Sequence, residues 1–411
     1  MPVADPKAKP EMTTRPQIPP VVVTAYQCVS AAGDDVEALY NSLIANRSCL
    51  QPLRLFDIPF KTVVGEITSP LPNIRQSLKA YDCRNARLAL KALNQGDFRS
   101  DVERAIANYG ALRVGLVLGT STSGIYDSEN AYAHFLSDGI MPSDFHFMQI
   151  QTAQATAEFL QRELELQGPC YGISTACSSS AKALGAAQRL IMSDFCDAVL
   201  VAGVDSLCRL TLRGFHSLQL ISPEACRPMD INRRGINIGE GAALLLLERP
   251  SPDNTARPRL LAVGESSDAH HMSAPHPEGT GAVLAMTQAL RLADREVGDV
   301  DYINLHATAS ILNDQADAKA INNLFPNPPP CSGVKGLLGH TLGAAGAVEA
   351  VVSLLALERG FLPGTCGLEQ ADPNCPCPVI ATPRLECAPK LVLSNSFGFG
   401  GNNASVLLEV A

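Results

Sequence analysis

Apolar residues along the chain fall into short unbroken runs separated by stretches of helical period. The runs predict buried strands at 21–24, 114–118, 198–204, 241–247, 260–263, 302–305, 391–394 and 404–410. Between them, apolar residues recur three and four apart, which predicts helices at 36–45, 84–94, 153–166, 281–293 and 339–357. Asp34 or Asp35 suits the cap of the first helix, and Ala86, Leu90 and Leu93 share one side of the second. Residues 126–147 mix charges and aromatics with no clean period, which fits a cap or an interface. The polar run 119–124, Gly-Thr-Ser-Thr-Ser-Gly, fits a pocket lining or a plain loop equally well.

One stretch stands apart. Residues 168–191 read GPCYGISTACSSSAKALGAAQRLI. A short β-prone run, 170–174, leads into Thr175-Ala176-Cys177, and Ala181, Leu184, Ala187 and Ile191 then follow at helical spacing. Cys177 therefore sits where a strand turns into a helix, with serines suited to the first helical turn. Positive potential at a helix N-terminus favours a thiolate, and free N–H groups there suit an oxyanion. The plain alternative is a buried small hydrophobe, as most free cysteines are.

Past residue 258 the pattern restarts. The segment VKGLLGHTLGAAGAVEAVVSLLAL at 334–357 resembles the Cys177 stretch in placing a reactive residue at the mouth of a small-residue helix. IGEGAALLLLER at 238–249 resembles FGGNNASVLLEV at 399–410. This is a weak internal repeat with a period near half the chain, and its strand–helix alternation indicates α/β layering. Packed together, two such halves bring both helix mouths to one central site. His306 follows a strand and precedes small residues; His340 lies at the second helix mouth, five residues after Lys335. A single histidine in such a place is most often structural, whereas cysteine and histidine at equivalent points of two halves point to chemistry. The segment 395–403, Asn-Ser-Phe-Gly-Phe-Gly-Gly-Asn-Asn, fits a tight turn that presents an N–H to a substrate.

Composition narrows the classes. The chain has 411 residues, 46% hydrophobic and 18% charged, enough for a large core in two domains or one double domain. A net charge of −9 argues against general nucleic-acid binding but leaves room for a local basic patch. Thirteen scattered cysteines, an odd number, suggest reduced thiols in a cytoplasmic protein. Cys366, Cys375, Cys377 and Cys387 are the densest group, and their spacing fits no standard zinc pattern. Residues 1–20 hold six prolines and no apolar core, and read as a disordered tail. No run approaches the roughly 20 apolar residues of a membrane helix.

Four motifs in order identify a resemblance: TACSSS at Cys177, Asn304-Leu305-His306, Lys335 to Gly346 as K-x4-H with GAAG, and the closing NSFGFGGNN. Together they resemble the β-ketoacyl-[acyl-carrier-protein] synthases of the type I/II group, over nearly everything after the tail. The resemblance implies a thiolase-like α/β fold, a duplicated five-layered αβαβα architecture, with halves at 21–250 and 258–411. It implies a decarboxylative Claisen condensation. Cys177 would take the acyl chain; His306 and His340 would hold the thioester carbonyl of a malonyl-acyl carrier protein. Backbone N–H groups of Cys177 and Phe399 would hold the oxyanion, with Phe399 also a gate. Lys335 and Glu349 would support the histidines, and Thr308 and Ser310 would line the phosphopantetheine arm. No metal, nucleotide or other cofactor is implied beyond that arm.

Departures from the family pattern bear on substrate range. The usual H-G-T-G-T reads His306-Ala307-Thr308-Ala309-Ser310, GTN reads Gly401-Asn402-Asn403, and Asp317 replaces a glutamate. The stretches 119–124 and 205–212 resemble synthases of aryl-polyene-type pathways, and the resemblance implies chain elongation for fatty acids or for a polyene. The implied partners are acyl carrier protein and a second subunit, in a homodimer or a heterodimer with a related synthase-like chain. Arg75, Lys79, Arg84 and Arg87 form the densest positive group and are the candidate carrier-docking rim, against a solvated helical face. Ile125, Phe147, Leu207 and Phe215 are candidate pocket walls. Three other activities compete. A non-catalytic chain-length subunit typically lacks the nucleophile cysteine. A thiolase needs a second cysteine where this chain has Phe397-Gly398-Phe399-Gly400. A cysteine hydrolase would leave the second histidine, lysine and phenylalanine motif unexplained.

Overall fold

Ten strands come in two sets of five with one shared order. The computed structural model describes residues 19–410, so the expected tail lies, except for Pro19 and Pro20, outside the described residues. The first set is β1 (Val21–Ser30), β2 (Val114–Gly119), β3 (Cys170–Ile173), β4 (Ala198–Asp205) and β5 (Gly241–Glu248). The second is β6 (Arg259–Ser267), β7 (Tyr302–Asn304), β8 (Cys331–Ser332), β9 (Leu391–Gly398) and β10 (Asn402–Glu409). From the outer edge inward the orders are β3-β2-β4-β5-β1 and β8-β7-β9-β10-β6. Each set therefore runs third, second, fourth, fifth, first. The pairing repeats too: the second strand is parallel to both neighbours and the remaining pairs are antiparallel. The halves join where Val21 pairs with Leu260 and Val22 with Arg259.

Helices fill the layers. The Ser179–Met192 helix packs on β2 and β4 and also on β6 and β10; the Ala345–Arg359 helix packs on β9 and β10 and on β4 and β5. Both are thus covered by a sheet on each side, which explains their small-residue sequence. Every residue from Ala345 to Leu357 is buried. Their contact is tight at Gly346, where a Cβ would lie 2.5 Å from the Ala181 nitrogen, and only glycine permits that approach. Arg84–Leu93, Phe98–Tyr109 and Ala155–Glu163 cover the outer face of the first sheet. Thr280–Leu292 covers the second, backed by Ile311–Leu324. Helix, sheet, helix, sheet, helix makes five layers.

The structure departs from the periodicity reading in several places. The expected helix at 339–357 begins only at Ala345; residues 339–344 are a loop with one short turn, so His340 lies five residues before the helix. Phe98–Tyr109, Arg209–Ser217 and Ile311–Leu324 are helices that the apolar pattern did not predict. The unpatterned stretch 126–147 is mostly the helix Ile125–Asp138, and only Ala131 of it is buried. Asp35, not Asp34, caps Val36–Ala45, its carboxylate accepting from the Ala38 N–H at 2.8 Å. Among the described residues, no helix is long and apolar enough to cross a membrane.

Candidate active site

Cys177 stands at the turn between β3 and the first central helix. Ala176 just before it holds φ +53, a left-handed conformation that alanine rarely adopts and that turns the chain sharply. The serines hold this turn rather than cap the helix. Ser179 Oγ accepts from the Thr175 N–H at 2.9 Å and donates to the Ala176 carbonyl at 2.6 Å, while Ser178 Oγ donates to the Thr175 carbonyl at 2.9 Å. The thiol is thereby fixed at the base of a cavity of about 410 Å³.

The second half supplies the rest of the site. His340 Nε2 lies 2.9 Å from Cys177 Sγ. Its loop is pinned by backbone bonds, the His340 N–H donating to the Asn237 carbonyl at 2.7 Å and the Gly239 N–H to the His340 carbonyl at 2.9 Å. The His306 ring stands almost perpendicular to that of His340, their centroids 5.3 Å apart. The reactive atoms of Cys177, His306 and His340 all lie within 4.8 Å of one another. The Phe399 N–H donates to the Cys177 sulfur. Phe399 packs its ring against Phe215 at 5.4 Å, across the cavity wall. Thr308 and Ser310 line the same cavity and hydrogen-bond to each other at 3.2 Å.

Lys335 sits behind the histidines, buried at 2% exposure and ion-paired with Glu349. Its ammonium donates to the His306 carbonyl at 2.5 Å and faces His306 Nδ1 at 3.3 Å. An ammonium is a donor only, so Nδ1 accepts and the His306 proton resides on Nε2, the nitrogen free to act as a donor elsewhere. Burial, and then the Lys335 charge, hold both imidazoles well below the usual histidine range. They are neutral donors and acceptors at neutral pH.

Electrostatics reverse one expectation. The helix N-terminus was expected to favour a thiolate at Cys177. Burial instead pushes the thiol up to about 11, with Lys335 and the Phe399 N–H pulling against it. Desolvation of a charge in a closed site outweighs one helix end. The resting group is a thiol, and His340 Nε2 is placed to take its proton.

Other expected residues are not at the site. Among the candidate docking residues, the Arg84 side chain, 12% exposed, is ion-paired with the buried Glu240 and donates to the Ile67 carbonyl at 3.1 Å. Arg87 and Lys79 both pair with Asp82, and Arg75 pairs with Glu163 at 3.0 Å. None of the four lines the cavity, and each is engaged by a local acid. Of the four expected pocket walls only Phe215 lines the cavity; Leu207 belongs to a separate apolar cluster with Phe56 and Ile238. The run 119–124 does not line it either. Thr120, Ser121 and Thr122 are bound to the Asp205 carboxylate. Arg233 was missed. It lines the cavity while bound to Asp372 at 2.6 Å, with Asp314 at 3.6 Å. Its only sequence signal was the polar stretch 228–240.

Comparison with known proteins agrees across the chain. Residues 19–252 match the family model described as beta-ketoacyl synthase, N-terminal domain, and residues 259–369 match beta-ketoacyl synthase, C-terminal domain. The 3-oxoacyl-[acyl-carrier-protein] synthase 2 of Coxiella burnetii is 31% identical over 407 residues, covering 95% of this chain and 98% of that relative. A solved ketosynthase, ApeO, in complex with its chain length factor, ApeC, from Xenorhabdus doucetiae superposes with a TM-score of 0.88 at 39% identity, over 97% of this chain and 100% of that one. The ishigamide ketosynthase/chain length factor gives 0.87 at 27% identity, over 96% and 100%.

Proposed function

The chain belongs to the β-ketoacyl synthase family, and from that premise we propose how its own residues condense an acyl group with malonyl-acyl carrier protein. The observation that carries the reading is the triad itself: a thiol, a neutral imidazole 2.9 Å from it and a second neutral imidazole beside them, at the base of one cavity. Cys177 attacks the acyl thioester, His340 Nε2 receives the thiol proton, and the N–H groups of Cys177 and Phe399 hold the tetrahedral oxyanion. The carrier thiolate leaves and takes a proton from water, the acyl chain stays on Cys177, and His340 Nε2 keeps the thiol proton.

Malonyl-carrier protein then enters the same cavity, its arm along Thr308 and Ser310. The bond to its carboxylate breaks, carbon dioxide leaves, and the electron pair becomes a thioester enolate. Nε2–H groups of His306 and His340 hold the enolate oxygen, which needs donors rather than a base. The α-carbon attacks the acyl carbon, the Cys177 sulfur is expelled and takes back its proton from His340 Nε2, and a β-ketoacyl chain two carbons longer remains on the carrier. Decarboxylation supplies the carbanion, so the reading requires no cofactor beyond the phosphopantetheine arm. Lys335 and Glu349 fix the His306 tautomer.

Two finer assignments follow. At 39% identity to a ketosynthase solved with its chain length factor, the chain is read as the catalytic subunit of a heterodimer with a related, synthase-like chain. An exposed apolar face supports this: Tyr132, Phe135, Leu136, Ile140, Met141 and Phe147 all lie open on and after the Ile125–Asp138 helix. The pathway is read as a specialised polyene-type elongation from the resemblance carried by the stretches 119–124 and 205–212. Carrier docking is read at the cavity mouth, where Arg234, Ile311 and Leu312 are exposed, in preference to the ion-paired Arg84 group.

Intact-mass spectrometry tests the reaction. The parent, alone and with the candidate partner, is incubated with a set of acyl-carrier proteins, and malonyl-carrier protein is then added. An acyl adduct absent from Cys177→Ala, discharged into a chain two carbons longer, is the expected result. An adduct of equal yield on Cys177→Ala overturns it.

A further inference from the structure

The two polar stretches at 119–124 and 205–212 are far apart in sequence, yet they meet at one buried carboxylate. Asp205, at the end of β4, is fully buried. Its Oδ1 accepts from Thr120 Oγ1 at 2.6 Å, the Ser121 N–H at 2.9 Å, the Thr122 N–H at 2.8 Å and Thr122 Oγ1 at 2.9 Å. Its Oδ2 accepts from Ser121 Oγ and from the Gly343 N–H, both at 2.6 Å. No lysine, arginine or histidine pairs with it among the described residues; neutral donors alone satisfy the charge.

Gly343 lies three residues after His340, in the loop that falls short of the central helix. That loop contains Leu342 at φ +52, a costly conformation for a branched residue that persists only where its surroundings enforce it. Ser121 Oγ also meets the Gly343 N–H, at 3.3 Å. A Cβ at Gly343 would lie 2.8 Å from Asp205 Oδ2 and 2.6 Å from the Ser121 nitrogen. The carboxylate thus clasps the His340 loop of the second half to the 119–124 turn of the first.

We propose that Asp205 is a positioning residue for the condensation: it fixes the His340 loop of the second half against the 119–124 turn of the first, and so holds His340 at the Cys177 sulfur. The catalytic consequence rests on the synthase reading above; the positioning itself does not. Groups acting on Cys177 from its surroundings are Lys335, which lowers its pKa, and Asp205 and Glu349, which raise it, with His306 and His340 neutral beside it.

Asp205→Asn tests it. Asparagine turns one acceptor oxygen into a donor that faces other donors. Two readouts are expected in the full chain. Amide hydrogen exchange across 339–344 speeds up while β4 and β9 keep their protection. With malonyl-carrier protein, kcat falls about tenfold while KM stays within about twofold. Gly343→Ala crowds the carboxylate and opens the clasp, so it also loosens the loop and lowers kcat. Ser121→Ala, which removes one hydroxyl, does the same more weakly and serves if the first variant fails to fold. Unchanged loop exchange in a folded variant overturns the clasp. Exchange needs no substrate, so that result stands even if the synthase reading falls.

Discussion

Two alanines mark the residue scale. Family members carry glycine where this chain has Ala307 and Ala309, and the structure keeps the left-handed backbone at both, φ +35 and +70. Each is clamped from behind: Asp317 accepts from the Ala307 N–H at 2.9 Å and Asp314 from the Ala309 N–H at 3.0 Å. The Ala307 methyl occupies space beside Gly333, where an added Cβ would come within 2.4 Å of it. The two positions should therefore couple. Gly333→Ala alone is expected to cost about 1–3 kcal/mol through overpacking. Adding Ala307→Gly should recover most of that, giving a coupling of at least about 1 kcal/mol in a urea-melt double-mutant cycle. Additive losses would show that the methyls do not compete. The reacting groups were legible because residue type carries their chemistry: thiol, imidazole and ammonium in motifs of fixed spacing. Their protonation was not, since burial raised the Cys177 thiol against the helix potential. The Arg84 ion pair was not legible for a similar reason: its partner Glu240 lies 156 positions away, beyond any local reading of charge.

At the scale of elements, strands were the most legible part and three helices the least. Strands of this fold are buried on both faces, so unbroken apolar runs report them directly. The Ile311–Leu324 helix escaped because its buried face carries Asp314 and Asp317, which break the apolar period. Those carboxylates face inward to hold the Ala307–Ala309 backbone and the Met229 N–H. Burial pushes Asp317 up to about 7 and Asp314 up to about 6. A raised folded pKa means the folded state holds more protons than the unfolded one across the window between them. Stability then falls as pH rises through that window, here from about 4 to about 7 for Asp317. Comparing parent with Asp317→Asn by thermal melts at stepped pH isolates the effect. The parent should lose ground to the variant between pH 4 and 7 and hold a constant difference above. A difference that is flat across the window would mean Asp317 titrates as an ordinary surface acid.

At the scale of the molecule, duplication explains why one site draws on both halves. Cys177 follows the third strand of one half and His340 follows the third strand of the other, each just ahead of a helix in the shared central layer. The repeat was visible in sequence only as two pairs of similar segments, because the halves share strand order far more than residue identity. What duplication does not use is the apolar face of the Ile125–Asp138 helix, where Phe135 and Leu136 stand open. An exposed apolar patch of this kind marks an interface. Neither side chain lines the cavity, so the site and the face can be separated. A Phe135→Glu, Leu136→Glu double variant should remain folded, with cysteine alkylation at Cys177 unchanged in rate and pH midpoint. Sedimentation velocity of the chain, alone and mixed with the candidate synthase-like partner, should show the parent as a dimer and the variant as a monomer, because two charges buried at an apolar contact leave it unpaired. A variant that still assembles would place the subunit contact elsewhere and leave this face to another partner.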